Sequence, residues 1–193
     1  MAETPARIVL VRHGATKWSQ SGRHTGRTDL PLEPDGESEA IAAGERLADL
    51  QPALVLMSPL RRASDSCKLA GFGEAEPTDL LLEMDYGEYE GMTTSEIRES
   101  RPAWDLFDDG CPGGESIADV GNRADQLLTR LRHDPVLEGK DVLAFAHGHI
   151  LRVLAARWLC LPPAAARRFA LGSGRLGFLS YEHDWTVVSG WGL

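Results

Sequence analysis

Three histidines, three arginines and a carboxylate stand just beyond short apolar runs of this chain. Arg12-His13-Gly14 follows Ile8–Val11, and Ser58-Pro59-Leu60-Arg61-Arg62 follows Leu54–Met57. Glu83 follows Leu80–Leu82, and His147-Gly148-His149 follows Val142–Ala146. These residue types suit phosphoryl transfer. A neutral imidazole is a competent nucleophile near pH 7. Arginine offers a planar fork that matches phosphate oxygens and stays charged. A second histidine can donate to the phosphoryl group as charge builds on it. A carboxylic acid with a raised pKa can protonate the leaving alkoxide. Gly14 and Gly148 permit close backbone approach, and helix N-termini beside them would aim free N–H groups at an anion.

Each piece alone has a plainer reading. An Arg-His-Gly triplet suits a solvated turn, and Ser58–Arg62 suits a well-capped helix with two surface arginines. His147-Gly148-His149 could share a metal ion, and Glu83 could be an ordinary solvated carboxylate. Convergence is what favours chemistry. In open α/β sheets, ligands bind outside the carboxyl ends of the strands, so parallel neighbouring strands would bring all four segments into one crevice.

The elements that must do this positioning are legible as apolar runs. Short runs alternate with longer amphipathic ones, the pattern of an α/β domain with a buried, mostly parallel sheet. Strands are expected at Ile8–Val11, Leu54–Met57, Leu80–Leu82 and Val142–Ala146. Two more, Gly177–Tyr181 and Thr186–Ser189, suit a hairpin at a sheet edge. Helices are expected over Pro34–Leu50, Leu60–Leu69, Thr93–Ser100, Ile117–His133 and Ile150–Leu159. Ser58 before Pro59 reads as an N-cap. Thr93 with Glu96 reads as a capping box, as Ser116 with Asp119 does more weakly. The expected architecture is a three-layer α/β/α sandwich with about six strands, and a single domain over residues 1–193.

Composition narrows the partners. Hydrophobic residues make up 42% and charged residues 25% of the 193 positions, which excludes a disordered chain. The formal net charge is −9, so neither nucleic acid nor an anionic membrane is expected as a partner, and any anion must be held by local charge. Cys67, Cys111 and Cys160 are odd in number and widely spaced, as in a reducing compartment without a disulfide framework. Ile8–Val11 is too short for a signal peptide or a span. A cytoplasmic location is expected, with a homodimer as the base-rate assembly.

The motifs also resemble a known family. Leu10–Gly14 and Gly22–Leu32 resemble the opening of the histidine phosphatase superfamily, also called phosphoglycerate mutase-like. Ser58–Ala63 resembles its second arginine motif, Glu83–Gly91 its general-acid segment, Pro112–Ser116 its helix-opening turn and Phe145–His149 its second histidine motif. The resemblance spans Leu10 to about Arg152. It implies that His13 is phosphorylated, that Arg12, Arg62 and His147 form the phosphate pocket, and that Glu83 protonates the leaving oxygen. Ser19, Thr25, Gly26, Tyr86 and Gly148 match positions that line substrate pockets. No metal and no cofactor are implied, and the substrate is a small-molecule phosphate ester.

Hydrolase or phosphoglycerate mutase is the open choice within that resemblance. The cofactor-dependent mutases carry a longer, basic insertion after the general-acid segment. Here only Met92–Cys111 intervenes, and its Arg98 and Arg101 are outnumbered by acidic residues. Ser19 also stands where the mutases usually have asparagine. Hydrolysis of sugar phosphates or similar metabolites is the favoured expectation, closest to small acid phosphatases and sugar-bisphosphate phosphatases. His133 and His183 read as structural or solvated. His24 and His149 are left open as pocket residues.

Overall fold

The computed structural model describes residues 6–193. In chain order its elements are β1 (Arg7–Arg12), α1 (Lys17–Gln20), α2 (Pro34–Arg46), β2 (Leu54–Met57), α3 (Arg61–Leu69), β3 (Glu76–Pro77), α4 (Thr94–Ser100), α5 (Leu106–Asp109), α6 (Ile117–Arg132), β4 (Asp141–Ala146), α7 (Gly148–Trp158), β5 (Leu176–Glu182) and β6 (Trp185–Trp191). The strands form a six-stranded sheet in the order β3-β2-β4-β1-β5-β6. The first four run parallel, while β5 and β6 form an antiparallel edge hairpin. The expected mostly parallel sheet, with helices on both faces, is what the chain builds.

Strand alternation explains the two cores. In β1, Ile8 and Leu10 turn to one face, and Val9 and Val11 turn to the other. The first face, with Leu56, Val142, Ala144 and Ala146, packs against Leu127 and Leu131 of α6 and Leu151 and Leu154 of α7. The second, with Leu143 and Phe145, packs against Ala43 of α2 and Cys67 of α3. Strands apolar on both faces are what a doubly covered sheet requires.

Register then sets the site. Arg12 pairs with Ala146, and Met57 with Phe145, so β1, β4 and β2 end level with one another. The next residues, His13, Ser58 and His147, are therefore neighbours. His13 N–H donates to Ala146 O at 3.0 Å, and Ser58 N–H to Phe145 O at 2.9 Å.

Two local expectations are corrected. Leu80–Leu82 is not a strand, because Thr78 caps a single 3₁₀ turn over Asp79–Leu81. Leu81 and Met84 are fully buried there, so the apolar residues plug the core without joining the sheet. The sheet is completed by the two-residue β3 just upstream. Ser58 is not the N-cap of α3 either. That position falls to Leu60, and the Ser58 hydroxyl is used elsewhere. The capping boxes at Thr93/Glu96 and Ser116/Asp119 are both formed.

Candidate active site

His13 is buried at the end of β1. Its Nδ1–H donates to Gly14 O at 2.7 Å, since a carbonyl can only accept. The lone pair of the neutral ring is therefore on Nε2, the atom a nucleophilic histidine needs. Gly14 keeps this turn tight: a Cβ there would lie 2.0 Å from Gly36 O, so the loop after β1 rests directly on α2.

His147 is the N-terminal cap residue of α7, and its ring lies 5.1 Å from that of His13. Its Nε2 is 2.7 Å from Ser58 Oγ. Among the described residues that fully buried hydroxyl has no other acceptor for its proton, so it donates to the ring nitrogen, which leaves the proton of His147 on Nδ1. Arg62 is also fully buried. Its terminal nitrogens donate to Thr25 O, Gly26 O and Thr28 O at 2.9–3.0 Å. Glu90 binds the same loop by its N–H groups, at Gly26 and Thr28. Loop 25–28 and the guanidinium thus fix one another.

Among the described residues, three buried nitrogens have no protein partner: Arg12 Nε, Arg62 Nε and His147 Nδ1. Unpaired buried donors are costly. Here three of them belong to the groups whose charges act on His13 or whose ring adjoins it. Such a set suits an anion with several acceptor oxygens.

Burial, then the charges of Arg12 and Arg62, push the pKa of His13 down to about 3. Burial and Arg62 hold His147 well below the usual imidazole range. Both rings are neutral in the fold, whereas each takes up a proton in the unfolded chain near pH 6.5. Acidification below pH 6.5 therefore favours the unfolded chain, by up to about 1.4 kcal/mol per pH unit for each ring. Urea midpoints are expected to hold from pH 7.5 to about pH 6.5 and to drop from there to pH 5, and inorganic phosphate should raise them. A midpoint that stays constant over this range would show that the rings are not held neutral.

Glu83 is brought in by long-range contacts. Arg123 of α6 donates to Leu80 O, Leu82 O and Glu83 O and pairs with Glu115, which clamps the segment. The Glu83 carboxylate then lies across the N-terminus of α7. Its Oε1 accepts from Met84 N–H at 2.9 Å and Ile150 N–H at 3.0 Å, and its Oε2 from His149 N–H at 3.0 Å. A raised pKa was expected. Burial does push it up, but contact with His149, the nearby His147 and the backbone N–H groups outweigh burial, and the carboxyl is held well below its ordinary range.

A cleft of about 200 Å³ opens here, with Arg12, His13, Ser19, His24, Tyr86 and His149 among its walls, while Arg62 and His147 lie fully buried and are not part of its lining. Glu83, Thr25, Gly148, Arg23 and Arg152 also line it. Local cations thus face the cleft of an acidic chain. Gly26 is held behind the wall, where a Cβ would meet Met84 O at 2.6 Å. Arg61 is exposed and pairs with Asp65. His133 bonds Thr129 O at the end of α6, and His183 sits in the exposed hairpin turn. Arg98 and Arg101 serve Trp104 O and Tyr89 Oη, so neither basic residue of Met92–Cys111 reaches the cleft.

Sequence reasoning missed Ser58 as the partner of His147, Glu90, Arg123, and Arg152 as a cleft residue. Arg152 had one available signal: it lies on the same helix as His147-Gly148-His149. The others depend on contacts between residues far apart in the chain.

A neutral nucleophilic imidazole, buried cationic donors and a carboxylate at the strand ends of an α/β sheet define a phosphate-ester site. The family model for histidine phosphatase superfamily, branch 1, matches residues 8–193, and the chain belongs to that family. It is a phosphoric monoester hydrolase. It is 45% identical over 180 residues to an acid phosphatase of Mycobacterium tuberculosis, covering 92% of this chain and 87% of that one. It is 35% identical to sedoheptulose 1,7-bisphosphatase of Saccharomyces cerevisiae, covering 83% of this chain and 70% of that one. Among solved structures it is similar to mycobacterial glucosyl-3-phosphoglycerate phosphatase in complex with VO3, with a TM-score of 0.87 and 30% identity over 97% of this chain and 98% of that one.

Proposed function

We propose that the chain hydrolyses phosphate monoesters of small metabolites, sugar phosphates or similar, through a phosphohistidine at His13. The observation that carries this reading is the set of three buried, unpartnered donors beside the neutral His13 ring. His13 Nε2 attacks phosphorus. Arg12, Arg62 and His147 Nδ1–H take the charge that builds on the phosphoryl oxygens. The ester oxygen leaves with a proton delivered through Glu83, and a water then hydrolyses the phosphohistidine with Glu83 as base. Ser19, Thr25 and Tyr86 line the cleft and are the residues assigned to the alcohol part.

Hydrolysis fits better than mutase chemistry, because the short segment Met92–Cys111 adds no cation to the cleft. The relatives' names support small phosphorylated metabolites as the substrate class.

Trapping tests the proposal. After millisecond mixing with a phosphate ester and alkaline quench, one acid-labile, base-stable phosphate per chain is expected on His13. Turnover with the label found only on another residue would overturn it.

A further inference from the structure

Glu83 is asked to hand a proton to the leaving alcohol, yet its surroundings are built for the anion. Three backbone N–H groups point at its two oxygens, and a helix N-terminus faces it. A protonated carboxyl there would set its O–H among N–H donors and lose part of that binding. One further group touches the carboxylate. His149 Nδ1 stands 3.8 Å from Glu83 Oε2, and the same nitrogen is 2.7 Å from Tyr86 Oη.

We infer that Glu83 and His149 work as one acid–base pair, in which the imidazole stores the proton that Glu83 passes to the leaving oxygen. The inference rests on the phosphohistidine reading above and adds a residue to it.

Tyr86 prepares the ring for this task. Its phenol is buried among core residues and has His149 Nδ1 as its acceptor, so the neutral ring carries its proton on Nε2. Uptake of a second proton places it on Nδ1, next to Glu83 Oε2, as an imidazolium–carboxylate pair. Burial and the neighbouring Glu83 hold the Tyr86 phenol well above its ordinary pKa, so it keeps its proton; when His149 Nδ1 is protonated the phenol oxygen becomes its acceptor and the charge stays on the ring.

The other groups around His149 fit the same assignment. His24 packs on Tyr86 with ring centroids 4.8 Å apart and lies 6.4 Å from the His149 ring. Burial, and then His149 itself, push His24 down to about 4, so it remains neutral beside a charged His149. Phe107 covers another side, with centroids 5.7 Å apart, and is itself covered by Arg152 at 5.0 Å. Arg12, Arg23 and Arg152 are the arginines in the cleft wall; Arg23 is paired with Glu96, and Glu83 is the anion that faces Arg12 and Arg152 at His149. His147, at the start of the same helix, is neutral.

The proton balance closes over a turnover. The bond from phosphorus to His13 Nε2 forms as the bond to the ester oxygen breaks. That oxygen takes a proton from Glu83, and Glu83 takes one from His149 Nδ1. The products are the alcohol, phosphohistidine, a carboxylate and a neutral imidazole. Water then attacks phosphorus, its proton passes through Glu83 to His149, and the P–N bond breaks to release inorganic phosphate. No oxidant, reductant or further reactant is needed.

His149→Asn tests this, because asparagine can still bond Tyr86 but cannot store a proton. Two esters are compared by kcat/KM, which reports the step that forms phosphohistidine. Glycerol 2-phosphate has a poor leaving group that needs a proton. p-Nitrophenyl phosphate has a good one that does not. The expected result is a loss of about 100-fold on glycerol 2-phosphate and under about 3-fold on p-nitrophenyl phosphate. The alkaline limb of the glycerol 2-phosphate profile should also move acidward by about one pH unit or more. Equal losses on both esters, or an unmoved limb with full activity, would overturn the pair.

Inorganic-phosphate binding by calorimetry verifies that the variant is folded, and His149→Gln serves if the asparagine variant does not bind. His13→Ala separates the two readings. Persisting turnover in His13→Ala removes the phosphohistidine reading itself. An inactive His13→Ala beside an unaffected His149→Asn removes only the proton store.

Discussion

His13→Ala is expected to lower kcat/KM by about 10⁴-fold or more on every phosphate ester, while inorganic phosphate still binds. The two halves of this result have separate physical origins. The turnover loss follows because no other group in the cleft offers a comparable nucleophile. His147 has its Nε2 tied to Ser58 and its proton on Nδ1, so the lone pair is engaged with the hydroxyl. His24 stands across the cleft beside Tyr86 and Trp104. Binding survives because the donors Arg12, Arg62 and His147 are held by contacts that do not involve the His13 ring: Leu171 O for Arg12, the loop 25–28 carbonyls for Arg62, and Ser58 for His147. The substitution leaves Gly14 O without its ring partner, a cost of about 1–3 kcal/mol that the fold should tolerate. Steady-state rates and phosphate titration of the same preparation check both halves. Parent-like turnover would remove the nucleophile from this position.

The second large effect is expected at Glu83. Glu83→Gln should reduce kcat/KM for alkyl phosphates by about 10³-fold and shift thermal stability downward. The activity loss follows from removing the group through which the leaving oxygen is protonated. The stability loss has a different cause. Glutamine has one acceptor oxygen, whereas Met84, His149 and Ile150 direct three N–H groups at two carboxylate oxygens. Its amide N–H₂ must therefore confront a backbone donor, which costs about 1–3 kcal/mol. A loss of activity without any stability change would mean that the carboxylate does not cap α7 in this way. Retention of alkyl-phosphate activity within a few-fold would remove Glu83 from the proton path. Glu83→Asp preserves charge but shortens the reach, and should recover stability only in part.

Much of the fold was readable because its signals are local. The boundaries of β2, α4 and α6 follow from apolar runs, cap residues and helix-ending turns within a few positions of each end. Leu80–Leu82 misled because its apolar residues lie in and just after a 3₁₀ turn in which Leu81 is buried, and an apolar run alone does not distinguish a plug from a strand. Ser58 misled for a related reason. Serine before proline is a good cap, but α3 begins only at Arg61, beyond the reach of a cap at Ser58, and the hydroxyl instead meets a ring nitrogen at another strand end.

The sequence by itself determined strands β1, β2, β4, β5 and β6, the apolar runs that lead into Arg12-His13, Ser58 and His147, and the family those motifs define. These depend on neighbours along the chain, and on residue types whose chemistry does not change with the fold. Tertiary structure alone decided the protonation of the site. Neutral His13 and His147 require burial, the anionic Glu83 requires the N-terminus of α7, and the Tyr86–His149 contact joins residues 63 apart in the chain. A pKa is set by solvent exclusion and by charges a few ångströms away, neither of which is written in the local sequence.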